Sequence, residues 1–219
     1  MGIGAAWKRA WHERGFRGGL LAVAIAAVPI AWGLPRFFQY IDGITGVRPP
    51  DPLVTWIGPF DVTWSIFLVL YATLVITVAR ALPQPWSVLR GLHAYALLMF
   101  LRVCTMRAFV LEPPMDIIPL IDPVTQSFYP GATPFLKDLF FSGHTASLAL
   151  MVCLARGQWA RWLTVLATAT VGVLVILQHV HWTVDVLAAP VFVWLAWKGA
   201  AFTLRACGAE GAASPMLAS

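Results

Sequence analysis

The stretch FSGHTASLALMVCLA, residues 141–155, places a histidine at the start of an apolar helix. A second stretch, HWTVDV at residues 181–186, places a histidine and an aspartate four residues apart at the start of the next helix but one. Residues four apart share one face of a helix. We interpret the rest of the chain as a membrane scaffold that brings these two stretches to one point.

The composition predicts an all-α integral membrane protein. Hydrophobic residues make up 59% of the 219 residues and charged residues only 11%, whereas a soluble domain has about 25% charged residues. The net charge of +5 does not indicate a nucleic-acid partner, because the basic residues are scattered at the ends of apolar runs. The three cysteines have no metal-ligand spacing, so we predict no metal and no cofactor.

Six apolar runs predict a six-transmembrane-helix bundle, since one crossing takes about 20 residues. The predicted spans cover residues 19–38, 62–81, 89–111, 141–155, 162–178 and 181–204. They form one catalytic membrane domain, 19–204, between a basic N-terminal segment, 1–18, and a disordered tail, 205–219. The alternative is a cleaved signal peptide at the N-terminus. We favour an uncleaved first span, because it keeps the number of spans even.

The distribution of basic residues predicts the orientation. Alternating crossings put residues 1–18, 82–88, 156–161 and the C-terminal end on one side, together with ten of the fifteen Lys and Arg residues. Lys and Arg mark the cytoplasmic side of a membrane protein. We therefore expect both termini to be cytoplasmic and the loops 40–61 and 112–140 to face outward.

This topology places five ionisable residues in one outward layer of the membrane. They are Arg102, Arg107, His144, His181 and Asp185. Ionisable groups inside spans are costly and usually functional. A phosphate group would account for them, so we expect an active site on the extracytoplasmic face.

The residues around His144 have the chemistry of a phosphate site. Ser142 is a suitable N-cap, and Gly143 lets a ligand approach the backbone closely. Free N–H groups at a helix start attract anions, and His144 can donate a proton there. Arg102 or Arg107 can bind phosphate oxygens in bidentate fashion.

The residues around His181 suggest a nucleophile. His181 can attack phosphorus if Asp185 holds its other ring nitrogen, because the carboxylate fixes the tautomer and stabilises the cation that forms. Asp138 is predicted either to contact a headgroup or to cap the helix start. His179 lies on another face, and we interpret it as an interfacial or loop histidine, with headgroup contact as the alternative. Asp116 is expected in a solvated loop.

These motifs, taken in order, resemble those of the sphingomyelin synthase family, a branch of the lipid phosphate phosphatase (phosphatidic acid phosphatase type 2) superfamily. The similar segments are SGHT at 142–145 with HWTVDV at 181–186, RVCTM at 102–106 with prolines at 113–114, and DLFFSGHT at 138–145. The resemblance covers roughly residues 19–204, including the six-span layout.

The resemblance implies a mechanism without a metal. The residue matching His181 takes up the phospho-headgroup of a donor phospholipid, and the residue matching Asp185 activates it. The residue matching His144 protonates the departing diacylglycerol oxygen. A lipid alcohol, which is ceramide in the named family, then accepts the headgroup. The implied partners are thus a phospholipid donor and a lipid alcohol acceptor.

Two departures separate the chain from the simple phosphatases of this superfamily. Their Lys-x6-Arg-Pro motif is absent, and Val175 occupies the position where they carry an arginine. This favours a transferase, because its diester donor carries less charge than a phosphomonoester. A lipid phosphatase or phospholipase C-like hydrolase on the same fold is the alternative. A non-enzymatic lipid-binding or transport protein is a third possibility.

Overall fold

The computed structural model describes residues 2–122 and 135–209, and these residues form a bundle of helices. Within these two ranges there is no strand, only one parallel bridge between Val47 and Leu111. The helices are α1 (Ile3–His12), α2 (Arg14–Asp42), α3 (Pro52–Trp56), α4 (Thr63–Ala81), α5 (Pro85–Ala108), α6 (Gly143–Leu154), α7 (Gln158–Leu177) and α8 (Thr183–Ala206).

Five helices are long and apolar enough to cross a membrane: α2, α4, α5, α7 and α8. The predicted fourth span is the 12-residue helix α6. At 1.5 Å per residue α6 is about 18 Å long, whereas the hydrocarbon core of a bilayer is about 30 Å thick. The described residues are therefore all-helical with five candidate membrane spans, and the count of six spans is not confirmed.

The ends of the first and last long helices differ from the predicted bounds. The first helix begins at Arg14 rather than at residue 19 and continues through Pro29 and Pro35 to Asp42. The last helix ends at Ala206. Most of the predicted disordered tail, from residue 210 onward, lies outside the described residues.

The short helix α6 lies at the centre of the bundle, where it contacts α4, α5, α7 and α8. Its buried residues are Thr145, Ala146, Leu148, Ala149, Leu150, Met151 and Leu154. By contrast, only 6% of the most apolar window of α2 is buried, against 44% for α5. Helix α2 is therefore peripheral, and α6 is held on several sides by its neighbours.

The bundle has two distinct ends. At one end, which we call the site end, the backbone joins the start of α6 to α8 through Ser142 N donating to Asp185 O at 3.0 Å. At the opposite end, Trp7 Nε1 donates to Leu82 O at 2.7 Å, and Arg156 hydrogen-bonds to Gln84. The N-terminal helix and the turns after α4 and α6 therefore lie together, away from the site end.

Two loops, residues 43–62 and 109–122, cover the site end, and we call them the loop cap. Val47 N donates to Val110 O at 2.9 Å, and Glu112 N donates to Val47 O at 3.0 Å, so the two loops are joined to each other. Phe60 N donates to Leu177 O at 2.9 Å. The loop cap is thereby attached to the end of α7, just before His181.

Candidate active site

His181 and Asp185 form a buried pair at the start of α8. His181 Nδ1 lies 3.3 Å from Asp185 Oδ2, and the same oxygen accepts the backbone N–H of Trp182 at 3.2 Å. Both side chains are almost completely buried. Because an ionised carboxylate only accepts hydrogen bonds, this geometry puts the proton on Nδ1. The lone pair of His181 is then on Nε2, which is the arrangement a nucleophile needs.

His144 lies beside this pair, although 37 residues separate the two histidines in the chain. Their ring centroids are 6.1 Å apart, with the ring planes at 63°. Ser142 caps α6 as the sequence predicts, because its Oγ accepts the N–H of Thr145 at 3.3 Å. At the 6.1 Å separation of the rings, one phosphoryl group between them could contact both histidines.

The two histidines differ in how their rings are held. His181 has the Asp185 carboxylate on Nδ1, whereas His144 Nδ1 is buried with no hydrogen-bond partner among the described residues. Among the described residues, no carboxylate accepts a hydrogen bond from His144 Nδ1, so none fixes the tautomer of this histidine. The geometry suits His181 to nucleophilic attack and His144 to carrying a proton. Asp185 Oδ1 is likewise buried and without a partner in the described ranges.

Arg102 lies against the start of α6. Its side chain is only 3% exposed and forms an ion pair with Asp138. Its Nη1 donates to Phe141 O at 3.2 Å, and its guanidinium lies so close to Gly143 that a Cβ there would overlap it. Asp138 therefore holds Arg102 in place instead of capping the helix, which is the role of Ser142.

Arg107 is not brought to this site. It is exposed and lies five residues after Arg102 on α5, which is about 140° around the helix. No described contact joins it to the histidines. The sequence could place Arg107 near the site end but not on the face that the site uses.

Asp51 supports the site, and sequence reasoning missed it. Its Oδ2 accepts the N–H of Thr183 at 2.7 Å, and its Oδ1 accepts Thr183 Oγ1 at 3.1 Å. The same carboxylate caps α3 by accepting Leu53 N and Val54 N. Asp51 thus fixes the first turn of α8, which contains Asp185 and follows His181 by two residues. An Asp-Pro pair can signal a helix cap, but no sequence pattern links Asp51 to Thr183.

His179 is a buried structural residue. It lies in the loop between α7 and α8, as one of the two predictions had it, and its side chain is only 2% exposed. Its Nδ1 lies 2.7 Å from Asp116 Oδ1, and its Nε2 lies 2.8 Å from Ile57 O. The hydrogen bond with His179 lowers the pKa of Asp116 below its usual value. His179 therefore ties the turn before α8 to both loops of the cap.

Glu112 makes a further connection between the loop cap and α8. Its carboxylate accepts Lys137 Nζ at 2.8 Å, and its backbone oxygen accepts Trp182 Nε1 at 3.0 Å. Lys137 Nζ also donates to Ile44 O at 2.8 Å. The hydrogen bond from Lys137 lowers the pKa of Glu112. Lys137 thus has a structural role, which leaves Arg102 as the basic side chain beside His144.

The segment that carries both histidines matches a known family model. Residues 137–201 match the PAP2 superfamily C-terminal model. This PAP2 segment contains Asp138, His144, His181 and Asp185, whereas Arg102 precedes it. The match supports the phosphatidic acid phosphatase type 2 superfamily, and with it an integral membrane enzyme of the phosphatase or phosphotransferase type. The sphingomyelin synthase branch is not confirmed.

Comparisons with curated proteins and with solved structures gave no match. In the described ranges, no three His, Cys, Asp or Glu side chains are grouped so that they could hold a metal ion.

Replacing Asp51 by asparagine should destabilise the protein at neutral pH by about 1–3 kcal/mol, because a buried hydrogen-bonding carboxylate is lost. Burial raises the pKa of Asp51, but four hydrogen bonds from Thr183, Val54 and Leu53 outweigh it and lower that pKa below its usual value. Because the pKa of Asp51 is lower in the folded than in the unfolded protein, its ionised form stabilises the fold. This stabilisation is complete above the unfolded-state pKa of about 3.9 and is lost as the pH falls through the folded-state pKa.

Thermal unfolding in detergent between pH 7 and pH 3 tests this prediction. The difference in unfolding temperature between wild type and Asp51→Asn should be constant from pH 7 to 5 and should become smaller below about pH 4. Asp61→Asn is the control, because Asp61 is exposed and its carboxylate accepts Thr63 N at the surface. If Asp51→Asn lowers the unfolding temperature no more than Asp61→Asn does, the supporting role of Asp51 is contradicted.

Replacing Gly143 by alanine should lower kcat/KM by about 100-fold, because displacing a catalytic group by about 1 Å costs that much. The added Cβ would overlap the Arg102 guanidinium, so Arg102 must move. Gly33→Ala is the matched control, since a Cβ at Gly33, also in a helix, meets nothing within 4 Å. Turnover by Gly143→Ala equal to that of Gly33→Ala would show that the position of Arg102 does not matter.

Proposed function

We propose that this protein is a phospholipid headgroup transferase. It moves the phospho-headgroup of a glycerophospholipid to a lipid alcohol, either ceramide-like or diacylglycerol-like, through a covalent histidine intermediate. The observation that carries the proposal is the buried His181–Asp185 pair facing His144, with ring centroids 6.1 Å apart. A nucleophile with its own carboxylate and a separate proton carrier are the groups that a two-step transfer requires.

In the first step, His181 Nε2 attacks the phosphorus of the donor phospholipid. The bond between phosphorus and the glycerol oxygen breaks, and His144 gives its proton to that oxygen, so diacylglycerol leaves. The Asp185 carboxylate stabilises the positive charge that forms on the His181 ring. In this proposal Arg102 binds the non-bridging phosphate oxygens, and Ser142 and Gly143 present the start of α6 to the same group.

In the second step, the hydroxyl of the lipid alcohol gives its proton to His144. The alcohol oxygen then attacks phosphorus, and the bond to His181 Nε2 breaks. The histidines return to their starting protonation states, and the headgroup is on the new lipid. Each proton that His144 donates in the first step is thus regained in the second.

The charge at the site supports a diester substrate. Arg102 is already paired with Asp138, so the two side chains together contribute no net charge. Val175, where simple phosphatases of the superfamily carry an arginine, is fully buried in an apolar cluster. A phosphodiester carries one negative charge and a phosphomonoester nearly two. A site with so little positive charge therefore suits a diester donor better than phosphatidic acid, and so favours the transferase reaction over hydrolysis of phosphatidic acid.

We also propose that α6 completes a six-span arrangement, with both termini in the cytoplasm and the site on the extracytoplasmic face. Ten of the fifteen Lys and Arg residues are on the side assigned to the cytoplasm, in agreement with the positive-inside rule. The support for this orientation is the charge distribution.

Purified protein in liposomes with headgroup-labelled phosphatidylcholine or phosphatidylethanolamine tests the function. With ceramide or diacylglycerol added, we expect the label in a new phospholipid, with little release in the absence of an acceptor. Phosphatidic acid is tested in parallel, because it is the substrate expected of a lipid phosphatase. Release of free phosphate or free phospho-headgroup with no new phospholipid would contradict the transferase and favour the lipid phosphatase or phospholipase C-like hydrolase.

A further inference from the structure

A cavity of about 430 Å³ lies between α6, α7 and α8. Its floor is formed by the small side chains of α6, including Thr145, Ala149 and Cys153. These residues are four apart and so share one face of the helix. Its walls include Ala169 of α7 and Trp197 of α8, and its lining is almost entirely apolar. We call this cavity the α6 groove.

One end of the α6 groove is lined by the chain neighbours of two candidate catalytic residues. Thr145 is the residue after His144, and its Oγ1 hydrogen-bonds to Ser142 Oγ at 3.1 Å. Val186, also in the lining, follows Asp185. From Val186 the groove follows α8 to Trp197, which is eleven residues or about 16 Å. One end of the groove is therefore at the level of the candidate active site, and the groove extends from there toward the opposite end of the bundle.

The groove is also open to the surroundings of the bundle. Two of its lining residues, Leu187 and Trp194, are 69% and 58% exposed, although both are large and apolar. In a membrane protein such a face meets lipid. A larger cavity of about 570 Å³ is lined mainly by α2 and α5, and its lining includes no residue of α6.

We propose that the α6 groove binds an acyl chain of the phospholipid whose phosphate lies between His144 and His181. A phospholipid has an anionic group at one end and a long apolar chain at the other, as the site and the groove together require. The volume is within the usual range of about 300–1,000 Å³ for small-molecule sites. This inference rests on the proposed function, and it adds a determinant of chain-length specificity.

Ala169→Phe tests the groove. Ala169 is exposed and lines the wall about 12 Å from the end of α7, so a phenylalanine fills the groove without entering the core. We expect turnover of a dipalmitoyl donor to fall at least 5-fold, with turnover of the dihexanoyl donor unchanged, because a short chain ends above Ala169. Ala27→Phe is the matched control, as Ala27 is exposed on α2 and lines neither cavity.

Photolabelling provides a measurement that does not need turnover. A phosphatidylcholine with a diazirine near the end of one acyl chain should label α6-groove residues such as Cys153, and Ala169→Phe should reduce that labelling relative to Ala27→Phe. Reduced labelling in a protein without turnover would support the groove and contradict the proposed function. Equal labelling in both variants, or equal loss of turnover for short and long chains, would overturn the groove proposal.

Discussion

His181→Ala should lower kcat for headgroup transfer by about 10⁴-fold or more, because it removes the atom that forms the covalent intermediate. His181 Nε2 is the ring atom left free when Nδ1 is held by Asp185 at 3.3 Å. The measurement is turnover of headgroup-labelled donor in liposomes. Mass spectrometry of wild-type protein quenched without acceptor should find the phospho-headgroup on His181.

The control is His12→Ala, since His12 is exposed at the opposite end of the bundle. It should leave turnover unchanged. The unfolding temperature and elution profile of His181→Ala should stay close to those of wild type if the loss is chemical. Turnover by a folded His181→Ala protein within about tenfold of wild type would eliminate His181 as the nucleophile.

Asp185→Asn should lower kcat by about 10³–10⁴-fold with little change in KM. An asparagine is nearly the same size and can still accept the Trp182 N–H, which Asp185 Oδ2 accepts at 3.2 Å. It has no charge to stabilise the cation that forms on His181. The expected effect is therefore on the chemical step and not on binding or folding.

Comparison of Asp185→Asn with Asp185→Ala separates the two roles of this residue. The alanine variant also loses the hydrogen bond to Trp182 N and should unfold at a lower temperature than the asparagine variant. The two should have similarly low kcat. A nearly active Asp185→Asn would mean that only the helix-capping hydrogen bond matters.

The sequence was sufficient to bring the two histidines together. His144 and His181 start helices separated by one returning helix, and alternation along the chain puts both at the same end of the bundle. Ser142 could be predicted as a cap, because serine before an apolar helix is a local signal. The match of residues 137–201 to a PAP2 superfamily model agrees with the superfamily inferred from these motifs.

Contacts between loops could not be predicted. The hydrogen bonds from Thr183 to Asp51 join residues 132 positions apart, and the contact between His179 and Asp116 joins two irregular segments. Loops have no hydrophobic periodicity from which one could infer how two segments align or which way their side chains point. The length of α6 was also overestimated, because apolar composition predicts burial equally well for a core helix and for a membrane span.

The hydrogen bond from Ser142 N to Asp185 O has a consequence for how this scaffold can be engineered. It joins the helix start that carries His144 to the helix start next to His181 through main-chain atoms. Any residue except proline supplies the same N–H at position 142. Side chains around the site can therefore be varied while this main-chain link keeps the starts of α6 and α8 in register.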